Sequence, residues 1–340
     1  MDRHKRSAPR LQAAEGKKRN LMVRYFIQRL FAIRWLHHGL ARRLGIARAG
    51  LALASLLLIG AVPSVHAYDG AIHQQLTFIA ARQFNLCAQN MLAYERFSAL
   101  ETRRMARANI AQADAGFFGR MFRWNYFNAA DQEGRRALWM IETRLHDHFA
   151  GQVEELQETD NPKQRLKNLG RLINYVQDMT TPSRVVPVYT GRWWRFSTSD
   201  RFDRYRVDQA LIEDALQDTC AGLGEEQGDF NSILLQTAQA TQDAVRSSIT
   251  GYPATWEVFW EFGREPGDFG EFGPAGNNFG DRTRFRCAES ERCLLLEDDP
   301  LYVEFAQARH VAAVMATMRV MALVQRLGLP LSVVDETPGS

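Results

Sequence analysis

The chain has 340 residues, of which 46% are hydrophobic, so it can build a sizeable core in one or two domains. Its formal net charge of +3 is unevenly distributed. Residues 1–50 hold thirteen Lys and Arg against two acidic residues, residues 51–67 hold no charge, and the chain from Tyr68 onward carries −8. An acidic protein of this kind has no general electrostatic reason to coat nucleic acid, so any contact with phosphate has to be local.

The N-terminal layout is typical of a secretory signal peptide. The uncharged run Leu51–Val62 follows the basic segment and precedes Val65-His66-Ala67, an A-x-A-like cleavage site. We therefore predict a signal peptide at residues 1–67 with a long basic n-region, maturation at Tyr68, and export to the periplasm or medium. The run is shorter than a membrane span, which needs about 20 residues. Translation from Met22 and twin-arginine export are alternatives that this layout permits.

All four cysteines lie after the predicted cleavage site. An even number in an exported chain predicts disulfides. Cys287 and Cys293 bracket a short polar loop, so we expect them to pair, which leaves Cys87 with Cys220. Zinc binding is the weaker interpretation because no C-x-x-C occurs.

Apolar residues recur at helical spacing through most of the mature chain, and strand signals are nearly absent. We predict an all-α fold, a single multi-helix domain over residues 68–334, and a disordered tail at 335–340. The predicted helices are Ala71–Phe84, Met91–Ile110, Ala130–Leu156, Arg165–Met179, Val207–Thr219, Phe230–Thr250 and Val303–Leu327.

A Gly- and aromatic-rich loop at residues 252–286 interrupts the helical pattern. One interpretation is a lid or a surface on which a substrate stacks, since loops of this length are often functional. The other is an irregular segment whose aromatic side chains fill the edge of the core. The aromatic residues concerned are Trp256, Phe259, Trp260, Phe262, Phe269, Phe272 and Phe279.

The helix that ends before Pro182 carries the most informative polar residues. Asn174 and Asp178 stand four apart on a largely apolar helix and therefore share a face, with Gly170 one turn earlier. Thr180-Thr181-Pro182 predicts the end of the helix, because proline removes a donor and restricts the residue before it. A carboxylate on a buried helix is costly unless it is paired, hydrogen-bonded or bound to a metal.

The mature chain has four histidines. His310 is expected to be a core or boundary residue of the last helix. His146 and His148 are two apart and point in different directions, so they cannot chelate one ion together. His73 differs, because it stands five residues after the predicted new N-terminus.

Together these features resemble the superfamily of zinc-dependent phospholipases C and single-strand-specific nucleases, which are exported all-α enzymes with three zinc ions in a cleft. Tyr68 and His73 match the metal-binding terminus and the first His of that family. Asp114 in NIAQAD, the aromatic motif WNYFN, the helix with Asn174 and Asp178, and Arg204-Tyr-Arg-Val-Asp208 match its later motifs. The resemblance covers roughly Tyr68 to Ala215.

Several histidines of the family pattern are replaced here, by Asn125 (or Asn128), Asn174, Arg184 and Arg204. A guanidinium stays charged and repels a cation. The resemblance therefore implies that the site needing Arg184, Arg204 and Asp208 is empty of metal, with an Arg–Asp pair supplying the charge.

The same resemblance implies at most one or two divalent cations. Tyr68, His73 and Asp178 are the expected ligands of one, zinc or another divalent cation. Asp114, Asn125, Asn174 and Asp178 offer only oxygen ligands, which suit Ca²⁺, Mg²⁺ or Mn²⁺.

Two function classes follow from the resemblance. The first is a metal-dependent phosphoester hydrolase in which Asp178 bridges metals, Asp114 orients the water, and Arg184 and Arg204 bind phosphate. Its substrate is a phosphoester-containing small molecule, lipid or nucleic acid fragment. The second is an inactive relative that binds a phosphate-bearing ligand or a partner in the former cleft. A chance resemblance, with Asp178 in a purely structural role, is the third interpretation.

Overall fold

A computed structural model describes residues 70–331, apart from 92, 114–125, 128–135, 138–140, 143–144, 189–191, 194–195, 198, 218, 226–227, 266–267 and 289–290. All described residues belong to one compact unit, Ser64–Ser340. The predicted signal peptide, Tyr68 and the predicted tail lie outside the described residues, as do Asp114, Asn125 and Asn128.

The described part of the chain is mostly helical, as the periodicity predicts. Within the described residues, three small two-stranded antiparallel sheets and two 3₁₀ turns connect the helices. The elements in chain order are α1 Gly70–Asn90, α2 Ala99–Ala113, β1 Arg136–Ala137, β2 Ile141–Glu142, α3 Leu145–Glu158, α4 Pro162–Asp178, α5 Pro182–Val185, β3 Arg192–Trp193, β4 Phe196–Ser197, a 3₁₀ turn Phe202–Arg204, α6 Gln209–Ala215, α7 Cys220–Glu225, α8 Phe230–Arg246, a 3₁₀ turn Trp256–Val258, β5 Thr283–Arg286, β6 Arg292–Leu295 and α9 Pro300–Arg326.

Helix α4 lies at the centre of the fold. It contacts α1, α2, α3, α8 and α9, and twelve of its seventeen residues are buried. Asn161 caps its N-terminus by accepting hydrogen bonds from the backbone N–H groups of Lys163 and Gln164. The helix ends at Asp178, and Thr181 Oγ1 then donates to the carbonyl oxygen of Asp178 at 2.7 Å. The predicted end of this helix is therefore confirmed.

A glycine allows α4 to approach α2 closely. A Cβ atom at Gly170 would overlap the carbonyl oxygen of Met105 and lie 2.8 Å from Cβ of Ala108. The backbones of the two helices therefore meet where Gly170 leaves room, one turn before Asn174.

Two predicted helices start too early. Residues 136–137 and 141–142, which the sequence analysis places in the helix Ala130–Leu156, pair as antiparallel strands, and α3 begins at Leu145. Short apolar runs of this kind do not distinguish helix from strand. Helix α2 begins at Ala99 rather than Met91, because Ser98 and Glu101 form a capping box: Glu101 Oε2 accepts from the Ser98 N–H at 2.8 Å.

The two predicted disulfides are confirmed. Cys87 on α1 is bonded to Cys220 at the start of α7, and Cys287 is bonded to Cys293 across the β5–β6 hairpin. Disulfides of this kind are typical of proteins that fold in oxidising compartments. Among the helices described, none combines the length and the apolar character that crossing a membrane requires.

The aromatic loop at residues 252–286 contributes to the core. Trp256, Phe259, Trp260 and Phe279 are buried. Trp256, Trp260 and Phe279 pack with Phe305 of α9, and Phe259 packs with Tyr302 of the same helix. The other three aromatic residues, Phe262, Phe269 and Phe272, are partly exposed. The four buried rings agree with the interpretation that the loop fills the edge of the core.

Candidate functional site

The first group of predicted ligands is brought together by α1 and α4. Nε2 of His73 lies 3.3 Å from Oδ1 of Asp178 and 3.2 Å from Nδ2 of Asn174. All three side chains are buried. Residues that are far apart in the sequence thus converge at one point, on the face of α4 that the four-residue spacing predicts.

The hydrogen bonds of His73 define its tautomer. Nδ1 lies 2.7 Å from Oε1 of Gln177, an atom that can only accept, so the proton is assigned to Nδ1. The lone pair of Nε2 then faces Asn174 and Asp178. Among the described residues, no donor reaches Oδ1 of Asn174. Nε2 of His73, Oδ1 of Asp178 and the side chain of Asn174 therefore lie within hydrogen-bond range of one another on neighbouring residues.

A second layer of buried polar side chains supports this group. Asn109 of α2 donates to Oε1 of Gln177 at 2.9 Å and accepts from Nδ2 of Asn174 at 3.0 Å. Gln177 donates to Oγ1 of Thr317 on α9 at 3.1 Å, and Thr77 of α1 accepts from Asn109 at 2.9 Å. The network links four helices and fixes the orientation of His73.

Arg184 lies on α5, the short helix that follows α4, and acidic side chains surround it. Its electrostatic neighbours are Asp178, Asp200 and Asp203, and its guanidinium stands 5.0 Å from the ring centroid of Tyr126. Burial lowers the pKa of Arg184, but Tyr126 and these three acids outweigh that effect, so the net pKa is raised. Arg184 therefore remains a cation.

Asp200 is the best-bonded acid of this group. It accepts from the backbone N–H of Phe202 at 3.0 Å and from Nε1 of Trp260 at 2.6 Å. Burial raises the pKa of Asp200, and these two hydrogen bonds offset only part of the effect. The loop residue Trp260 thus orients one of the acids that surround Arg184.

The carboxylate of Asp203 is buried and has no hydrogen-bond donor among the described residues. Neither of its carboxylate oxygens meets a donor within the described part of the chain, although the residue is only 1% exposed. Burial and then the charge of Asp200 raise the pKa of Asp203 well above its ordinary value, and Arg184 offsets only part of this. A buried carboxyl group with no donor is unusual in a folded protein and is a candidate functional group.

Two predicted site residues lie elsewhere. Asp208 is exposed and caps α6, accepting from the backbone N–H of Leu211 at 3.2 Å. Arg204 is also exposed, at the end of the 3₁₀ turn. From this stretch, the acid that interacts electrostatically with Arg184 is Asp203, which precedes the Asp208 of the sequence motif by five residues.

The predicted core or boundary position of His310 is confirmed. His146 and His148 are partly exposed residues of α3, and His310 is buried in the core beside Phe202. Burial lowers the pKa of His310 to about 4.

Sequence reasoning missed Asp200, Asp203, Asn109 and Gln177. Gln177 stands three residues after Asn174 on the same face of α4, so helical spacing was a signal that could have found it. Nothing in the local sequence distinguishes the buried Asp203 from the exposed Asp208.

Within the described residues, only one group of three potential metal ligands has all its ligand atoms within 4.8 Å of one another. It consists of Cys287, Glu291 and Cys293, none of which is a predicted metal ligand. Its two sulfur atoms are joined in a disulfide, so neither is the thiolate that a metal requires.

A surface cavity of about 360 Å³ lies elsewhere, between α1 and the start of α6. None of the predicted site residues lines it.

In comparisons with known proteins, no protein-family model, no curated protein and no solved structure matches this chain.

Proposed function

We propose that this protein is an exported, metal-dependent phosphoester hydrolase of the phospholipase C or zinc nuclease type, with a reduced metal site. The observation that carries the proposal is the convergence of His73, Asn174 and Asp178 at the centre of the fold. The helical architecture and two disulfides are compatible with that fold type and with export.

The separation of the ligand atoms suits one divalent cation. Zinc binds imidazole nitrogen and carboxylate oxygen at about 2.1 Å. His73 Nε2 and Asp178 Oδ1 are 3.3 Å apart. A zinc ion bound to both at that bond length would form an N–Zn–O angle of roughly 100°. That angle lies between the octahedral and tetrahedral values. A third ligand atom from Asn174 would be Oδ1, and turning it to this point would break the hydrogen bond from Asn174 Nδ2 to Asn109 Oδ1.

The charge balance also favours a cation. Asp178, Asp200 and Asp203 are buried, and among the described residues the cation that neighbours all three is Arg184. Ionisation of all three acids leaves an excess of negative charge in the interior, which is costly. A bound divalent cation compensates this excess, and Arg184 supplies the charge of a lost second metal.

His73 and Asp178 would hold the metal, which when bound would supply activation of water and stabilisation of charge on the phosphoryl oxygens. The protein's part is to hold His73 through Gln177 and to place Asp178 beside it. Asp114 remains the proposed residue that orients the water. Arg184 and Arg204 remain the proposed phosphate-binding residues; Arg184 lies among acids, and Arg204 is exposed.

Hydrolysis of a simple phosphodiester tests this function. Bis(p-nitrophenyl) phosphate should be cleaved by the mature protein, cleavage should stop with chelator, and it should return with Zn²⁺ or Mn²⁺. Asp178→Asn should abolish the activity, whereas Asp243→Asn, a matched change on the exposed face of α8, should not. Activity that survives both chelator and Asp178→Asn would refute the mechanism.

A second candidate function is an inactive relative that binds a phosphate-bearing ligand. One observation favours it: both ring nitrogens of His73 already have protein neighbours, Gln177 and Asn174. A folded protein that neither binds metal nor cleaves the diester supports this alternative.

A further inference from the structure

The surface cavity beside α1 is lined by a different face of that helix from the one that carries His73. His73 points toward Asn174 of α4. The residues of α1 that line the cavity lie roughly 100° or more around the helix axis from His73. They are Ala71, Gln74, Gln75, Phe78, Ile79 and Arg82. The cavity is therefore separate from the proposed metal site, although one helix carries both.

Side-chain amides supply most of the hydrogen-bonding groups of the cavity. Gln74 and Gln75 of α1 and Gln209 of α6 line it. Each amide has one acceptor oxygen and two donor hydrogens. Within the described part of the chain, no hydrogen bond holds the side-chain amides of Gln74 and Gln75. These two amides are therefore free to donate to a ligand and to accept from it.

The charged groups beside the cavity neutralise each other. Nη1 of Arg82 donates to Oε1 of Glu213 at 2.9 Å. The same oxygen accepts from Nε2 of Gln209 at 2.7 Å, which leaves the amide oxygen of Gln209 to accept from a ligand. The charges of the lining residues and of the acid that pairs with Arg82 sum to zero. The cavity therefore offers no net charge with which to select an ionic ligand.

An exposed aromatic ring gives the cavity an apolar wall. Phe78 is 37% exposed, and among the described residues it is the only exposed Phe, Tyr or Trp. Ile79, which is buried, lines the cavity as well. The face of an aromatic ring carries partial negative charge, so it attracts the weakly positive C–H groups of a ligand.

We propose that this cavity binds a neutral sugar, which stacks on Phe78 and bonds the glutamine amides through its hydroxyl groups. Each hydroxyl of a sugar both donates and accepts, as the amides do, and one side of the sugar ring presents C–H groups. The cavity volume of about 360 Å³ lies near the lower end of the range for small-molecule sites, roughly 300–1,000 Å³. This binding function goes beyond the proposed hydrolase and does not depend on its metal.

A peptide fits the cavity less well. Two helices, α1 and α6, supply its walls, so it offers no sheet edge that an extended peptide could join. The grooves that hold amphipathic helices or proline-rich segments present several apolar or aromatic anchor sites. Here the only exposed ring is that of Phe78.

Titration of the mature protein with neutral disaccharides tests the inference. The probes are cellobiose, maltose and diacetylchitobiose, measured by isothermal titration calorimetry. At least one should bind with a dissociation constant of about 1 mM or lower. Binding should not depend on salt, because no net charge is involved. Phe78→Ala should weaken binding about tenfold through the lost ring. Gln75→Leu should weaken it severalfold through the lost hydrogen bonds.

Two matched controls lie on α1 outside the cavity. Leu86→Ala and Gln89→Leu change exposed positions and should bind as the parent does. Failure of all three disaccharides to bind, or equal binding by Phe78→Ala and Leu86→Ala, would overturn the inference. Binding of trialanine amide in place of the sugars, with the same dependence on Phe78, would assign the cavity to peptides instead and would also overturn it.

The inference and the proposed function fail separately. Asp178→Asn should leave sugar binding unchanged, and Phe78→Ala should leave the metal content unchanged, because the two sites lie on different faces of α1. A protein that holds metal but binds no sugar contradicts this inference alone. A protein that binds sugar but holds no metal contradicts the proposed function alone.

Discussion

His73 Nε2 lies 3.3 Å from Asp178 Oδ1, between the first helix described and the central helix of the fold. The proton of the imidazole is assigned to the opposite nitrogen, which bonds Gln177. Nε2 of His73 and Oδ1 of Asp178 therefore lie close together in the interior, next to the side chain of Asn174. The proposed metal site depends on this relationship.

Replacement of Gly170 should test the close approach of α4 to α2. Gly170→Ala introduces a methyl group against the Met105 carbonyl oxygen and Ala108, so we expect a loss of about 1–3 kcal/mol in the free energy of unfolding. Gly151→Ala is the matched control, because no heavy atom lies within 4 Å of the added Cβ. That control should gain up to about 1 kcal/mol from helix propensity. Urea unfolding measures both, and equal effects would contradict the packing described.

His310 should make the fold sensitive to mild acid. Burial lowers the pKa of His310 to about 4, below the 6.5 of the unfolded chain. The unfolded state therefore binds more protons between these values, so stability is complete above pH 6.5 and is lost as the pH falls toward 4. The maximal loss is about 3 kcal/mol.

The variant His310→Met isolates this contribution. Its free energy of unfolding should depend less on pH than that of the parent between pH 6.5 and 4, because methionine does not titrate. If the free energy of unfolding depends on pH equally in parent and variant, the pKa of His310 is not lowered in the folded protein, and the prediction is wrong.

The effect of Asp203 on the pH dependence of stability should have the opposite sign to that of His310. Its pKa is raised well above the ordinary value by burial and by Asp200, so the folded state binds more protons than the unfolded state. The stability that protonated Asp203 contributes is complete below the ordinary pKa and is lost as the pH rises through the raised value. In metal-free protein, Asp203→Asn should therefore stabilise the fold at neutral pH, with a gain that shrinks toward pH 4. Thermal unfolding over this pH range measures the effect, and destabilisation at neutral pH would show that an ionised Asp203 is needed beside Arg184.

The helices and the disulfides could be predicted from the sequence because their signals are local. Apolar spacing located α1, α4, α8 and α9, and Thr180-Thr181-Pro182 marked the end of α4. The even number of cysteines and their spacing were enough to predict both disulfides.

The candidate site was predictable only in part. The four-residue spacing placed Asn174 and Asp178 on one face, but only the packing of α1 on α4 shows that His73 meets them. The resemblance assigned the acid beside Arg184 to Asp208, through the match of Arg204-Tyr-Arg-Val-Asp208. The structure places Asp203 there instead, because burial depends on the fold. Such long-range pairing leaves no trace in local composition.

The most direct test is the metal content of the mature protein, exported and purified with its own N-terminus at Tyr68 and measured by elemental analysis beside Asp178→Asn. We predict about one equivalent of a divalent cation in the parent, as for a single site, and none in the variant, with both proteins folded. A folded parent without metal, whose thermal unfolding is unchanged by added Zn²⁺, Mn²⁺ or chelator, would contradict the proposed metal site and leave Arg184 as the only cation at this centre within the described residues.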